Sequence, residues 1–83
     1  MRLDVVLHEL RLYKSRSQAQ AAIAGAQVLL NGKRTKPSHD VRIGDRLTFV
    51  GESHRRIVEV LELPHRSLSK EAAKALVREV TES

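Results

Sequence analysis

Two short apolar ladders at the start of the chain constrain its fold more than any other feature. Leu3, Val6, Leu7 and Leu10 recur at i, i+3, i+4 and i+7, and Ala19, Ala22, Ile23 and Ala26 repeat that spacing. The period places each set on one face of an α-helix. The first helix is predicted from Leu3 to about Arg11. Only Leu12-Tyr13-Lys14 and a capping serine separate the two, so they fold back on each other as a helical hairpin. Ser15 is the predicted N-cap of the second helix. Its hydroxyl can accept a first-turn amide while Gln18 reaches back to the Ser15 amide, completing a capping box. Small alanines on the second ladder let the helices approach closely. Gly25 is expected to end the second helix in the left-handed conformation.

The period then changes. Gln27-Val28-Leu29-Leu30 is short, apolar and partly β-branched, and Asn31-Gly32 follows at once. Asn-Gly suits a type I′ turn, which needs positive φ at both central residues. Lys33 to Lys36 is therefore expected to return as a short basic strand, stopped by Pro37. Gly44-Asp45 marks another turn. Leu47 to Val50 and Arg56 to Leu63 read as a third and a fourth strand, the latter ended by Pro64. Ser69 is the predicted cap of a final helix whose apolar face is Ala73, Leu76, Val77 and Val80, with Leu68 and Ala73 as a hydrophobic staple. The expected fold class is α+β: an N-terminal two-helix hairpin packed on a small, mostly antiparallel sheet of about four strands, plus a C-terminal helix.

At 83 residues the chain has room for one small core. The absence of cysteine excludes a disulfide framework, a thiolate metal site and a cysteine nucleophile. No run approaches the roughly 20 apolar residues of a membrane span, and the N-terminus does not read as a signal peptide, so a cytoplasmic protein is expected. His8, His39, His54 and His65 lack metal-ligand spacing. Asp40 and Asp45 flank a turn, where capping backbone amides is the plainer role. There is no nucleophile elbow and no phosphate-binding glycine loop. The expectation is no enzyme activity, no cofactor and no metal.

Charge is the informative bulk property. Fifteen Lys and Arg against ten Asp and Glu give +5. Leu10 to His39 holds six basic residues and no acid, whereas Ile57 to Ser83 carries four bases and five acids. A basic block on an otherwise balanced domain is the footprint of a polyanion partner; a merely solvated face is the plainer reading for any one lysine. With Tyr13 and Phe49 the only aromatics, the chain has no platform for stacking splayed bases, so it should read backbone and shape. Lys14, Ser15, Arg16 and Ser17 surround the start of the second helix, where amides and dipole attract phosphate. Gln20 lies one turn on from Arg16. Lys33, Arg34 and Lys36 come from the hairpin, and Arg11 from the end of the first helix. If the hairpin folds beside the second helix, these residues share one surface.

Arg2-Leu3-Asp4, Ser15-Arg16-Ser17-Gln18-Ala19, Val28-Leu29-Leu30-Asn31-Gly32, Pro37-Ser38 and Val41 to Asp45 stand in unbroken order over residues 1 to about 50. In this they resemble the S-four-type RNA-binding domain. The layout, with no catalytic domain, resembles the stand-alone bacterial members, the ribosome quality-control factor P and fifteen-kilodalton heat-shock families. The resemblance implies an S-four-like unit over residues 1–63 and a helical extension over 64–83 packed on the same domain. It implies RNA binding by Arg2, Arg11, Lys14, Ser15, Arg16, Ser17, Gln20, Lys33, Arg34 and Lys36. It also implies a cytoplasmic, ribosome-associated factor, expected to be a monomer, that binds large-subunit rRNA and tRNA in quality control of stalled nascent chains. One departure stands out. The family's glycine five residues before the turn asparagine falls here on Ala26, with Gly25 one residue earlier. Either the helix ends early, or Ala26 takes positive φ at about 1–2 kcal/mol. Three other readings are kept: a DNA-binding helical-hairpin transcription regulator, a general rRNA-binding assembly or translation factor, and a module for an acidic protein partner.

Overall fold

A computed structural model describes residues 1–65 and 68–80. The helical hairpin is formed by α1, Leu3–Glu9, and α2, Arg16–Ala24. Leu3, Val6, Leu7 and Leu10 from the first ladder and Ala19, Ala22 and Ile23 from the second are all buried. Both helices end in the same way. After α1, the Leu12 amide bonds the Leu7 carbonyl and the Arg11 amide bonds the His8 carbonyl, with Arg11 at φ 60. After α2, the Gln27 amide bonds the Ala22 carbonyl and the Ala26 amide bonds the Ile23 carbonyl, with Ala26 at φ 60. Each is a Schellman cap whose left-handed residue would ordinarily be glycine. Gly25 does not take that role, since its φ is −83. Of the two possibilities at this cap, the structure shows the strained alanine.

Strands β1 (Val28–Leu30), β2 (Arg46–Val50), β3 (Arg55–Val60) and β4 (Val77–Val80) form one antiparallel sheet in that order. Leu30, Leu47 and Val58 align across three strands and are all buried, carrying the core from the helices onto the sheet. Asn31 and Gly32, at φ 52 and 80, make the expected turn. Its hairpin is one residue pair long, Leu30 with Lys33.

Two expectations are corrected here. Lys33–Lys36 is not the second strand; β1 pairs with β2 instead, Val28 facing Phe49 and Leu30 facing Leu47. Nothing in Lys33–Lys36 can bury against Leu30, whereas β2 offers Leu47 and Phe49, and burial of apolar partners decides the pairing. The final helix also stops early. Ser69 caps it as expected, accepting the Ala72 amide at 3.1 Å, but α3 is only Lys70–Lys74. Val77–Val80 becomes β4 because β3 otherwise has an open edge, and Val77 pairs with Val60 and Val80 with Ile57. A β-branched strand completing a sheet outweighs helical spacing. Leu68, Ala73 and Leu76 still reach the core.

On the outer face of the sheet one acid is set between two bases. The Glu59 carboxylate accepts from Arg78 at 2.8 Å and lies 3.9 Å from Arg46, across three strands. Among the described residues no helix is long and apolar enough to cross a membrane.

Candidate nucleic-acid interface

The candidate site is built around an acid rather than a base. Asp4 lies on α1 at the edge of the apolar stripe, and its side chain is fully buried. Arg2 donates to it twice, Nε to Oδ1 and Nη2 to Oδ2, each at 3.1 Å. Gln20 Nε2 donates to Oδ2 at 2.8 Å and the Val5 amide to Oδ1 at 2.8 Å. Arg16 Nη2 lies 3.5 Å from Oδ2, a looser contact. Burial alone would push the Asp4 carboxyl up. The hydrogen bonds from Gln20, Arg2 and the Val5 amide, with the Arg2 charge, outweigh burial and hold it at about 2. Asp4 is thus ionised at neutral pH, and it tethers two guanidinium groups that remain half-exposed, 50% for Arg2 and 49% for Arg16.

Helix α2 extends this cluster along one ridge. Arg16, Gln20 and Ala24 follow at i, i+4 and i+8, so they stack on one side. At the far end Arg34 Nη2 donates to the Ala24 carbonyl at 3.3 Å. From Arg34 the chain runs back beside α2 to the start of α1. There the Pro37 carbonyl accepts the Asp4 amide at 3.1 Å and the His39 carbonyl accepts the Leu3 amide at 2.9 Å. One flank therefore carries Arg2, Arg16, Gln20 and Arg34, with exposed Lys36 on the loop between its ends. Nine residues of α2 set the flank's length at roughly 13 Å. Lys33 is exposed at the hairpin that leads into this loop.

Ser15 Oγ accepts the Gln18 amide at 3.1 Å, as the cap requires, but the reciprocal bond is displaced. Gln18 Oε1 accepts the Lys14 amide at 3.3 Å rather than that of Ser15. Ser17 is exposed on the first turn of α2. Arg11 and Lys14 are not drawn to Asp4. Arg11 Nε donates to the Leu68 carbonyl at 2.8 Å, and both residues line a cavity beside that contact.

The turns that hold the flank in place are braced by Asn31. Its side chain accepts the Arg46 amide at 2.9 Å and donates to Asp45 at 3.2 Å, while Asp45 also accepts the Arg42 amide at 2.9 Å. Asp45 thus caps a backbone amide as expected, whereas Asp40 pairs with the Met1 amino group, with Arg42 3.8 Å away. Asp4 is a residue of this cluster that sequence pattern alone does not single out. Its signal is positional: a carboxylate three residues before buried Leu7, on the rim of an apolar face in a chain rich in nearby arginine.

Residues 1–47 match the model of the S4 domain. Heat shock protein 15 of Escherichia coli (strain K12) is 35% identical over 83 residues, covering all of this chain and 62% of that protein. The RQC P-site tRNA stabilizing factor of Bacillus subtilis (strain 168) is 37% identical over 73 residues, covering 88% of this chain and 85% of that protein. The solved trimeric structure of Vibrio cholerae heat shock protein 15 gives a TM-score of 0.88 at 32% identity, covering 96% of this chain and 81% of that one. This chain spans less than two thirds of the Escherichia coli relative's length. A matched model over more than half the chain, a relative aligned over 88% of this chain and 85% of its own length, and a shared fold lead to one conclusion: this chain belongs to the S4 domain family.

Proposed function

We propose that this chain is a non-enzymatic RNA-binding factor of the bacterial ribosome, acting in the cytoplasm. Its α2 flank grips the phosphate backbone of structured RNA, with large-subunit rRNA and tRNA as targets. The setting is quality control of large subunits obstructed by peptidyl-tRNA. Residues 1–63 are the RNA-binding unit and 64–83 an extension, whose described part (64–65 and 68–80) packs on the same core and sheet. One observation carries this reading: Arg2, Arg16, Gln20 and Arg34 share a single flank on which the buried Asp4 is the organising acid. Guanidinium groups fixed at one edge and open at the other suit bidentate contact with phosphate oxygens. Ser17 and the first-turn amides of α2 add donors outside the helix's own ladder. The name of the Bacillus subtilis relative, a tRNA stabilizing factor, supports tRNA as one target.

Titration with structured RNA and duplex DNA at several salt concentrations tests the reading. Neutralising about five phosphates predicts a log–log salt slope of roughly −3.5 to −4.5 with RNA preferred. A flat response rejects phosphate binding, and preference for duplex DNA returns the transcription-regulator reading. The chain is expected to act as a monomer. Because the solved relative is trimeric, sedimentation with and without RNA checks that point.

A further inference from the structure

A second cationic surface lies away from the Asp4 cluster, where the α1–α2 connection meets α3. The left-handed turn at Arg11 aims its Nε at the Leu68 carbonyl, 2.8 Å away and 57 residues distant in sequence. That bond pins the connection to the segment leading into α3 and leaves a groove in two lobes, of about 600 and 210 Å³. Arg11, Leu12 and Lys70 line both lobes, so the lobes are continuous. Lys14 stands in the first, and Lys74 and Arg56 in the second. Arg56 is paired with Glu79. Arg11, Lys14, Lys70 and Lys74 have no carboxylate partner among the described residues, and Glu9 is the one acid on the groove walls. Lys70 and Lys74 stand one turn apart on the same side of α3. They belong to a tail whose net charge is negative, so composition hides them.

We infer that this groove binds the sugar–phosphate backbone of a second RNA strand, separate from the one held by the α2 flank. The inference rests on the RNA-binding reading above and extends it. Four cations without a carboxylate partner among the described residues, set along a continuous channel, match a linear polyanion better than a small anion, which one or two of them would satisfy. The groove begins at Lys14, directly before the Ser15-Arg16 start of α2, so the two surfaces meet there. The domain then bridges two backbone segments, with neutralised phosphates on both sides of that junction.

The test is salt-dependent binding of structured RNA by the full chain. A Lys70→Gln/Lys74→Gln double variant removes two groove cations, and glutamine preserves helix propensity in α3. It should bind roughly tenfold more weakly near physiological salt and lower the salt slope by about 1.4–1.8. Arg46→Gln/Arg78→Gln removes the same charge from the outer face of the sheet and should leave the slope unchanged. Glu9→Gln should bind more tightly than the wild type, a gain that misfolding cannot produce. If Lys70→Gln/Lys74→Gln binds as the wild type does while Arg16→Ala is weakened, the groove inference is overturned and the RNA-binding reading stands. If the wild type itself shows no steep salt slope, both fall. Competition by poly-glutamate as strong as that by RNA would reassign the groove to an acidic protein segment and overturn the inference.

Discussion

Replacing Asp4 by asparagine removes the charge that organises the α2 flank while keeping its size. The carboxyl is held at about 2 against an ordinary 3.8. At about 1.4 kcal/mol per unit, and trimmed for screening at the half-exposed guanidinium ends, the ionised form contributes about 2 kcal/mol to the folded state. The sign follows from the lowered folded value. The contribution is complete above the unfolded value of 3.8 and is lost as the pH falls through about 2. Asp4→Asn should therefore be about 2 kcal/mol less stable than the wild type at pH 7, with most of that gap closed by pH 2. Urea unfolding followed by circular dichroism at pH 7, 4, 3 and 2 measures it. A gap that stays constant with pH would show that Asp4 acts through packing alone and would refute the charge argument.

Three further substitutions probe the frame that holds the flank. Ala26→Gly should stabilise the protein by about 1 kcal/mol, because it relieves a left-handed alanine at a modest entropic cost; a lower urea midpoint would contradict this. Leu76→Ala should cost about 2–3 kcal/mol by leaving a cavity between α3 and the sheet, and unchanged stability would mean the C-terminal segment is not part of the core. Asn31→Ala should cost about 2 kcal/mol, through a strained turn and two lost side-chain hydrogen bonds. Thermal melts compared with an Asn31→Gly variant, which keeps the turn and loses only the bonds, separate the two terms.

The helical hairpin was legible because its apolar spacing coincides with burial, residue for residue, at Leu3, Val6, Leu7, Ala19, Ala22 and Ile23. Local chemistry also sufficed at Ser15, Ser69 and Asn31-Gly32, where a cap or a turn is set by neighbouring residues. Pairing partners were not legible, because strand choice depends on what each strand can bury. Lys33–Lys36 lost its place to Arg46–Val50, and Val77–Val80 left helical spacing to close an open edge. The candidate donors stand on one block of sequence, and the structure brings Arg2, Arg16, Gln20 and Arg34 onto one flank. The organising acid was not legible, since Asp4 looks like an interruption until Arg2, Arg16 and Gln20 are seen around it. Arg11 belongs with α3 through a bond to Leu68 that sequence proximity conceals.

Arg16 and Arg34, at opposite ends of α2, are proposed to act on one RNA backbone. The most direct measurement is the salt slope of structured-RNA binding for the wild type, Arg16→Ala, Arg34→Ala and the double variant. Each single change should weaken binding by roughly 1–3 kcal/mol and lower the slope by about 0.7–0.9, with the double variant losing both increments. Wild-type slope and affinity in both single variants would show that the α2 flank does not hold the RNA backbone.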